Sequence, residues 1–103
     1  MTFQVKANPT FDAEIIIVGQ GREQKLMVTF RHMTRSAYSE LIRATVEGGG
    51  SDSDIAVRIL DKWDADVPLD AAGLGLLDDH QPGAVRAIIE SYGEALSVAR
   101  RKN

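Results

Sequence analysis

Two neighbouring runs of alternating apolar and polar residues constrain the fold more than any other feature of the sequence. FDAEIIIV at residues 11–18 and KLMVTFR at residues 25–31 each place every second residue on one apolar face of an extended strand. The connection GQGREQ contains Gly19 and Gly21, which supply the positive φ that tight turns need. The pattern predicts an antiparallel β-hairpin. Its apolar face is predicted to consist of Phe11, Ala13, Ile15, Ile17, Leu26, Val28 and Phe30.

A short edge strand is predicted before the hairpin, in the segment FQVKA that precedes Asn8 and Pro9. The predicted strands therefore cover residues 2–6, 11–18 and 25–32.

After the hairpin the apolar spacing changes to three and four residues, which is typical of helices. Thr34 is a candidate N-cap for the first helix, and three consecutive glycines at residues 48–50 end it. Asp70 is placed to cap the third helix, and Pro82 fits the first turn of the last. The four predicted helices cover residues 35–47, 53–63, 70–78 and 82–101.

The only tryptophan, Trp63, is predicted to close the second helix as the last member of an apolar stripe. Pro68 lacks an amide donor and interrupts that helix, so a loop is expected after Trp63. The third helix contains Gly73 and Gly75, each of which costs a helix roughly 1 kcal/mol relative to alanine. It is therefore predicted to need tertiary support.

The order of the elements predicts the α+β class, with an N-terminal antiparallel hairpin of two or three strands followed by about four α-helices. A chain of 103 residues is the size of one domain with one hydrophobic core, so residues 1–103 are expected to form a single domain. Cysteine is absent, which excludes disulfides and thiolate chemistry. The oligomeric state is left open.

The net charge disfavours nucleic-acid partners, and the short apolar runs disfavour insertion into a membrane. The formal net charge is -3, whereas nucleic-acid binding normally demands a basic face. The basic cluster Arg100, Arg101 and Lys102 is interpreted as a complement to the negative end of the last helix. No run reaches the apolar length of a spanning helix, so we expect a soluble, cytoplasmic protein.

A calcium loop was the sharpest chemical hypothesis for the acidic stretch LDKWDADVPLD at residues 60–70, but its spacing is wrong. An EF-hand starting at Asp61 needs glycine at its sixth position and glutamate at its twelfth, where this chain has Asp66 and Ala72. His32 and His80 lie in no recognisable catalytic or metal motif. We therefore expect no metal, no cofactor and no enzymatic activity.

Three ordered phrases resemble the tail assembly chaperones of long-tailed bacteriophages and prophages. TFRHMT at residues 29–34 is similar to a TFRHLT-like phrase of that family, and KWDADVPL at residues 62–69 to a KWDA-like phrase. The tail from Leu76 to Asn103 is similar to a pattern that ends in ARxKN. The resemblance covers residues 24–103. The departures from the family pattern are Ala72, Gly73 and Leu74, where EAL is common, and Gln81, where an aromatic residue often precedes the proline.

The resemblance implies a non-catalytic assembly factor that acts in the bacterial host cytoplasm. Such proteins bind the tape measure protein, keep it soluble and help recruit tail tube subunits, and they are generally absent from the finished particle. The partners implied are thus the tape measure protein and the major tail tube protein. The alternative is a small structural tail or head-tail component that is retained in the virion.

Candidate partner contacts lie around the predicted weak third helix. An aromatic anchor beside a helix that moves would suit a binding hot spot. The alternative is that all four residues are part of the core. The candidates are Trp63, Leu69, Leu74 and Leu77.

Overall fold

The computed structural model describes residues 1–99 and confirms the α+β class. An antiparallel three-stranded sheet with strand order β1-β2-β3 is combined with four helices. In chain order the elements are β1 (Thr10–Gly19), β2 (Arg22–Arg31), α1 (Arg35–Glu47), α2 (Asp52–Ile59), β3 (Leu60–Trp63), α3 (Ala71–His80) and α4 (Ala84–Leu96).

The hairpin has the predicted apolar face. Phe11 lies opposite Phe30 and Ile15 lies opposite Leu26, so their side chains share the side of the sheet that the helices cover. The turn consists of Gln20 and Gly21, with φ of 54° and 73°. Two consecutive positive φ angles match the right-handed twist of the flanking strands, which explains the short connection.

The third strand lies where the sequence predicted the end of a helix. Residues 60–63 were predicted to be helical, but α2 ends at Ile59 and Leu60 adopts extended geometry, with φ -95° and ψ 130°. β3 pairs antiparallel with β2, with Leu60 opposite Phe30 and Trp63 opposite Val28. Leu60 and Trp63 are three residues apart, which would place them on opposite faces of a regular strand, and both face the core only because Asp61 is an extra residue in the pairing. Pairing with the second edge of β2 decides between helix and strand.

The strand predicted at residues 2–6 is wrong. No strand is assigned before Thr10, and the side chains of Phe3 and Val5 are exposed. Two apolar residues offer little surface to bury, and a strand there would also have to pair with β1. The outer edge of β1 is left unpaired within residues 1–99.

The core lies between the sheet and helices α2, α3 and α4. Tyr92 of α4 is fully buried, and its ring meets those of Phe30 and Tyr38 edge-on, each at 5.0 Å between centroids. Phe11 stacks on the same ring at 6.3 Å. The largest fully buried side chains are Tyr92, Phe30, Ile59, Leu60, Leu74, Ile88 and Val85.

Both ends of α1 and the start of α3 follow the sequence signals, whereas α3 continues to His80 instead of ending at residue 78 and both ends of α4 differ from the prediction. Thr34 Oγ1 accepts a hydrogen bond from the Ala37 amide at 3.2 Å, and Gly48 caps the end of α1. The last helix was predicted over residues 82–101, but it begins only at Ala84, because Gly83 has a φ of 96°, and it ends at Leu96. Residues 100–101 of that prediction, and the basic cluster there, lie outside the described residues.

Among the described residues, no helix combines the length and the apolar character needed to cross a membrane.

Candidate partner-binding surface

Trp63 is the aromatic residue of the candidate surface, and it is held at the end of β3. Its ring is half-buried against the core, on the same side of the sheet as Val28. The indole Nε1 donates a hydrogen bond to the carbonyl of Val67 at 3.0 Å. The loop that follows β3 thus folds back on Trp63, so the indole serves both as packing surface and as a polar link.

Two of the acidic residues around Trp63, Asp61 and Asp64, interact with other residues of the sheet and do not point at a common ligand site. Asp64 prolongs the ladder, because its amide donates to the Met27 carbonyl at 3.1 Å and its Oδ1 accepts from the Met27 amide at 2.9 Å. Asp61 is the extra residue of a β-bulge, where the register shifts between Thr29 and Phe30. Its carboxylate faces Arg31 at 3.4 Å.

The start of α3 is fixed by a close backbone approach. Asp70 Oδ1 accepts from the Gly73 amide at 2.7 Å, as the sequence predicted for a cap. A Cβ on Gly73 would lie 1.8 Å from the Pro68 carbonyl oxygen, so only glycine fits there. Gly73 therefore does more than weaken the helix: it allows α3 to start directly against the loop.

The structure separates the four candidate residues by burial. Leu74 has no exposed surface and belongs to the core, so it offers nothing to a partner of the folded domain. Leu69, Leu77 and Trp63 are half-buried and pack against the core with part of their surface open. Trp63 and Leu77 line two different depressions, and Asp64 lies on the rim of both.

The depression at Leu77 is lined by apolar and charged residues together. Leu77, Ile17 and Ala65 are among the apolar residues, and Lys25 and Asp66 are among the charged ones. Within the described part of the chain, no group of three or more His, Asp or Glu side chains is arranged to hold a metal ion. The depression at Leu77 thus offers apolar contact area bordered by charges of both signs, which suits a protein partner.

A second exposed apolar surface was missed by the sequence analysis. Ile16 and Val18 point away from the helices and are 52% and 71% exposed, and Met27 lies on the same outer face of the sheet. The signal was present in the run from Ile15 to Val18, where four apolar residues follow one another. In a strand, every second one of them must face outward.

A comparison with protein-family models identifies the family of the chain. The model described as phage tail assembly chaperone matches residues 1–103 and so includes the N-terminal part that the resemblance at residues 24–103 left out. A search of curated proteins and a search of solved structures gave no match. Because the family model matches the whole chain, the protein belongs to the phage tail assembly chaperone family.

Proposed function

We propose that this protein binds the tape measure protein during tail assembly, keeps it soluble and helps to recruit tail tube subunits around it. The observation that carries the proposal is the family match over residues 1–103. In this proposal the protein acts in the cytoplasm of the bacterial host, catalyses no reaction and leaves before the particle is complete.

The half-buried residues Trp63, Leu69 and Leu77 support a role in binding. Each combines packing against the core with exposed apolar area, which is the surface that an amphipathic partner helix covers. Release during assembly requires an interface of modest size rather than a large obligate one. Separate shallow depressions at Trp63 and Leu77 are compatible with such an interface.

Co-expression with the tape measure protein of the same phage or prophage tests the proposal. We expect the tape measure protein to move from the insoluble to the soluble fraction and to co-purify with this chain. Mass spectrometry of purified virions should then find no stoichiometric copies of the chain. Stoichiometric copies in the virion would contradict the chaperone and support the alternative of a retained structural component.

Truncation of Trp63 tests whether that residue contacts the partner. We expect Trp63→Ala to lower the affinity for the tape measure protein at least tenfold while circular dichroism still shows a folded domain. Val46→Ala, which truncates an exposed apolar side chain of α1 outside both depressions, is the matched control and should bind normally. Trp63→Phe keeps most of the packing if the alanine variant unfolds. Unchanged affinity of the folded phenylalanine variant, together with a large loss of stability in the alanine variant, would make Trp63 a core residue only.

A further inference from the structure

The outer edge of β1 presents a row of backbone groups with no partner among residues 1–99. The His32 amide donates to the Pro9 carbonyl at 2.9 Å, and Met27 exchanges its backbone bonds with Asp64 on the β3 side. In an antiparallel ladder these bonds alternate, so the odd-numbered residues of β1 bond to β2. The N–H and C=O groups that point away from the sheet belong to Asp12, Glu14, Ile16 and Val18.

The half of this edge from Ile15 to Gly19 lacks the charged residues and the proline with which proteins usually block strand addition. β1 is ten residues long, and the stretch from Ala13 to Gly19 contains neither lysine nor proline. The preceding chain does not cover the edge with its apolar residues, since Phe3 and Val5 are 86% and 88% exposed. An added strand would find a regular set of hydrogen-bond partners, because the pairing of β1 with β2 has no register shift.

A groove runs between this edge and the start of α4. It has a volume of about 370 Å³, and Ile17 of β1 faces Pro82, Ala84 and Ala87 across it. A strand that paired with β1 would place alternate side chains on the two faces of the sheet. A small apolar side chain beside Ile17 would therefore enter the groove while its neighbours lie on the outer face.

The outward side chains of β1 form an acidic half and an apolar half. Asp12 and Glu14 provide the acidic half, whereas Ile16 and Val18 provide the apolar half. Glu14 meets only Lys25, at 3.7 Å, and its side chain is 43% exposed. A complementary strand would carry basic residues beside Asp12 and Glu14 and apolar residues beside Ile16 and Val18.

A second copy of this chain satisfies only the apolar half of that pattern. In the register centred on Ile17, Ile16 lies beside Val18 of the other copy. Asp12 and Glu14, however, lie beyond the paired residues and meet no basic side chain of the added strand. Antiparallel pairing of two β1 edges about Ile16 sets Glu14 beside Val18 of the other copy, which places a carboxylate against an apolar side chain. Parallel pairing sets each acidic residue beside its own counterpart, and like charges directly opposite are destabilising. The charge pattern therefore favours a different protein over self-association.

We propose that the free edge of β1 binds an extended segment of a partner protein, which joins the sheet antiparallel as a fourth strand. The segment has two outward apolar residues followed by two outward basic residues, with a small apolar residue in the groove beside Ile17. This mode of recognition adds main-chain hydrogen bonds to pockets for alternate side chains. The proposed pairing with β1 does not depend on which tail protein supplies the segment.

A synthetic peptide tests the proposal with the full chain. The probe is Thr-Ile-Ala-Ile-Thr-Lys-Thr-Lys-Thr, whose binding is measured by the perturbation of backbone amide NMR signals. We expect saturable binding with the shifts centred on β1, and at least a tenfold loss when both lysines are replaced by glutamate. N-methylation of the second isoleucine and the first lysine, whose amides face β1, should abolish binding. N-methylation of two threonines, whose amides face solvent, should leave it within about threefold.

Two variants of the protein complete the test. Ile16→Lys should weaken peptide binding at least tenfold, because it places a cation at the edge beside the apolar residues of the probe. Val46→Lys adds the same charge at an exposed position of α1, away from the sheet, and should bind within about threefold of the parent chain. No binding, or equal losses from the two N-methylated peptides, would overturn the proposal. A further contradicting result would be a dimer of the parent chain in analytical ultracentrifugation that becomes a monomer in the Ile16→Lys variant. A second copy would then occupy the edge of β1. Failure of co-purification with the tape measure protein is a separate result that leaves the peptide measurement unaffected.

Discussion

Tyr92 brings a phenol into the centre of an otherwise apolar core. Its hydroxyl donates to the carbonyl of Arg31, the last residue of β2, at 2.7 Å. We expect Tyr92→Phe to lower the free energy of unfolding by about 1 kcal/mol, because the ring remains and one buried hydrogen bond is lost. Urea unfolding followed by circular dichroism measures the change. An unchanged midpoint would mean that the hydroxyl contributes nothing to stability.

Ionisation of the same phenol makes the free energy of unfolding depend on pH in the alkaline range. Burial, with a smaller contribution from the neighbouring Tyr38, raises the pKa of Tyr92 to about 12, while the Met33 backbone amide acts in the opposite direction. An unfolded tyrosine titrates near pH 10. Between pH 10 and pH 12 the folded state therefore holds a proton that the unfolded state has lost, and stability falls as pH rises.

We expect that fall to be roughly 1.4 kcal/mol per pH unit in this window, with little dependence on the phenol below pH 10. The pKa of Tyr38 is also raised, by burial and then by the charge of Asp52, so it adds to the fall in the same direction. Urea titrations at several pH values, on the parent chain and on Tyr92→Phe, separate the two tyrosines. Equal slopes for both proteins would contradict the assignment to Tyr92.

Two glycines of α3 should respond in opposite ways to the same substitution. Gly73→Ala puts a methyl group against the Pro68 carbonyl, so we expect a loss of roughly 2–4 kcal/mol, as for other strained core positions. Gly75→Ala meets no atom within 4 Å and should gain up to about 1 kcal/mol from helix propensity. Thermal unfolding of both variants gives the comparison. If Gly73→Ala were as stable as Gly75→Ala, the close approach would not be a constraint.

At the scale of elements, the sequence predicted what local patterns determine. The hairpin register follows from the alternation in both strands and from the short turn. Both ends of α1 follow from Thr34 and Gly48, and the start of α3 follows from Asp70. β3 could not be predicted from its own residues, because the spacing of three between Leu60 and Trp63 fits a helix, and a strand places both on the core side only through the bulge at Asp61. Only the exposed edge of β2, which is 30 residues away in the chain for the pair Phe30 and Leu60, decides that segment.

The candidate surface was predicted in part for the same reason. Sequence spacing identified the apolar residues around the third helix, but burial depends on what packs over each of them. Leu74 is completely covered, whereas Leu77 keeps an open side next to Ala65. The free edge of β1 was missed because the predicted strand at residues 2–6 was expected to lie near the hairpin.

Helix α1 is the least buried helix of the described fold, and its amides should exchange first. None of its residues is fully buried. Three of its side chains are partly buried and pack against the core, namely Tyr38, Leu41 and Ile42. Helix α4 buries Val85, Ile88 and Tyr92. In hydrogen–deuterium exchange with mass spectrometry, we expect peptides from α1 to exchange well before peptides from α4. Equal protection of the two helices would contradict this order.

At the scale of the whole molecule, one core should give one unfolding transition. The core cluster contains residues from β1, β2, α2, β3, α3 and α4. We expect calorimetry to show a single peak whose calorimetric and van't Hoff enthalpies agree, with a heat-capacity change of about 1.2–1.5 kcal/mol/K for a chain of this size. Two resolved peaks would contradict the prediction of a single domain over residues 1–103.

The bond between Tyr92 and Arg31 joins residues 61 positions apart and ties the last helix to the first hairpin. During synthesis the hairpin therefore leaves the ribosome long before the helix that covers its apolar face. Phe11 and Phe30, which pack beside Tyr92, stay open to solvent until α4 has emerged. A protein proposed to keep another chain from aggregating thus has an uncovered apolar sheet face of its own until α4 has been synthesised.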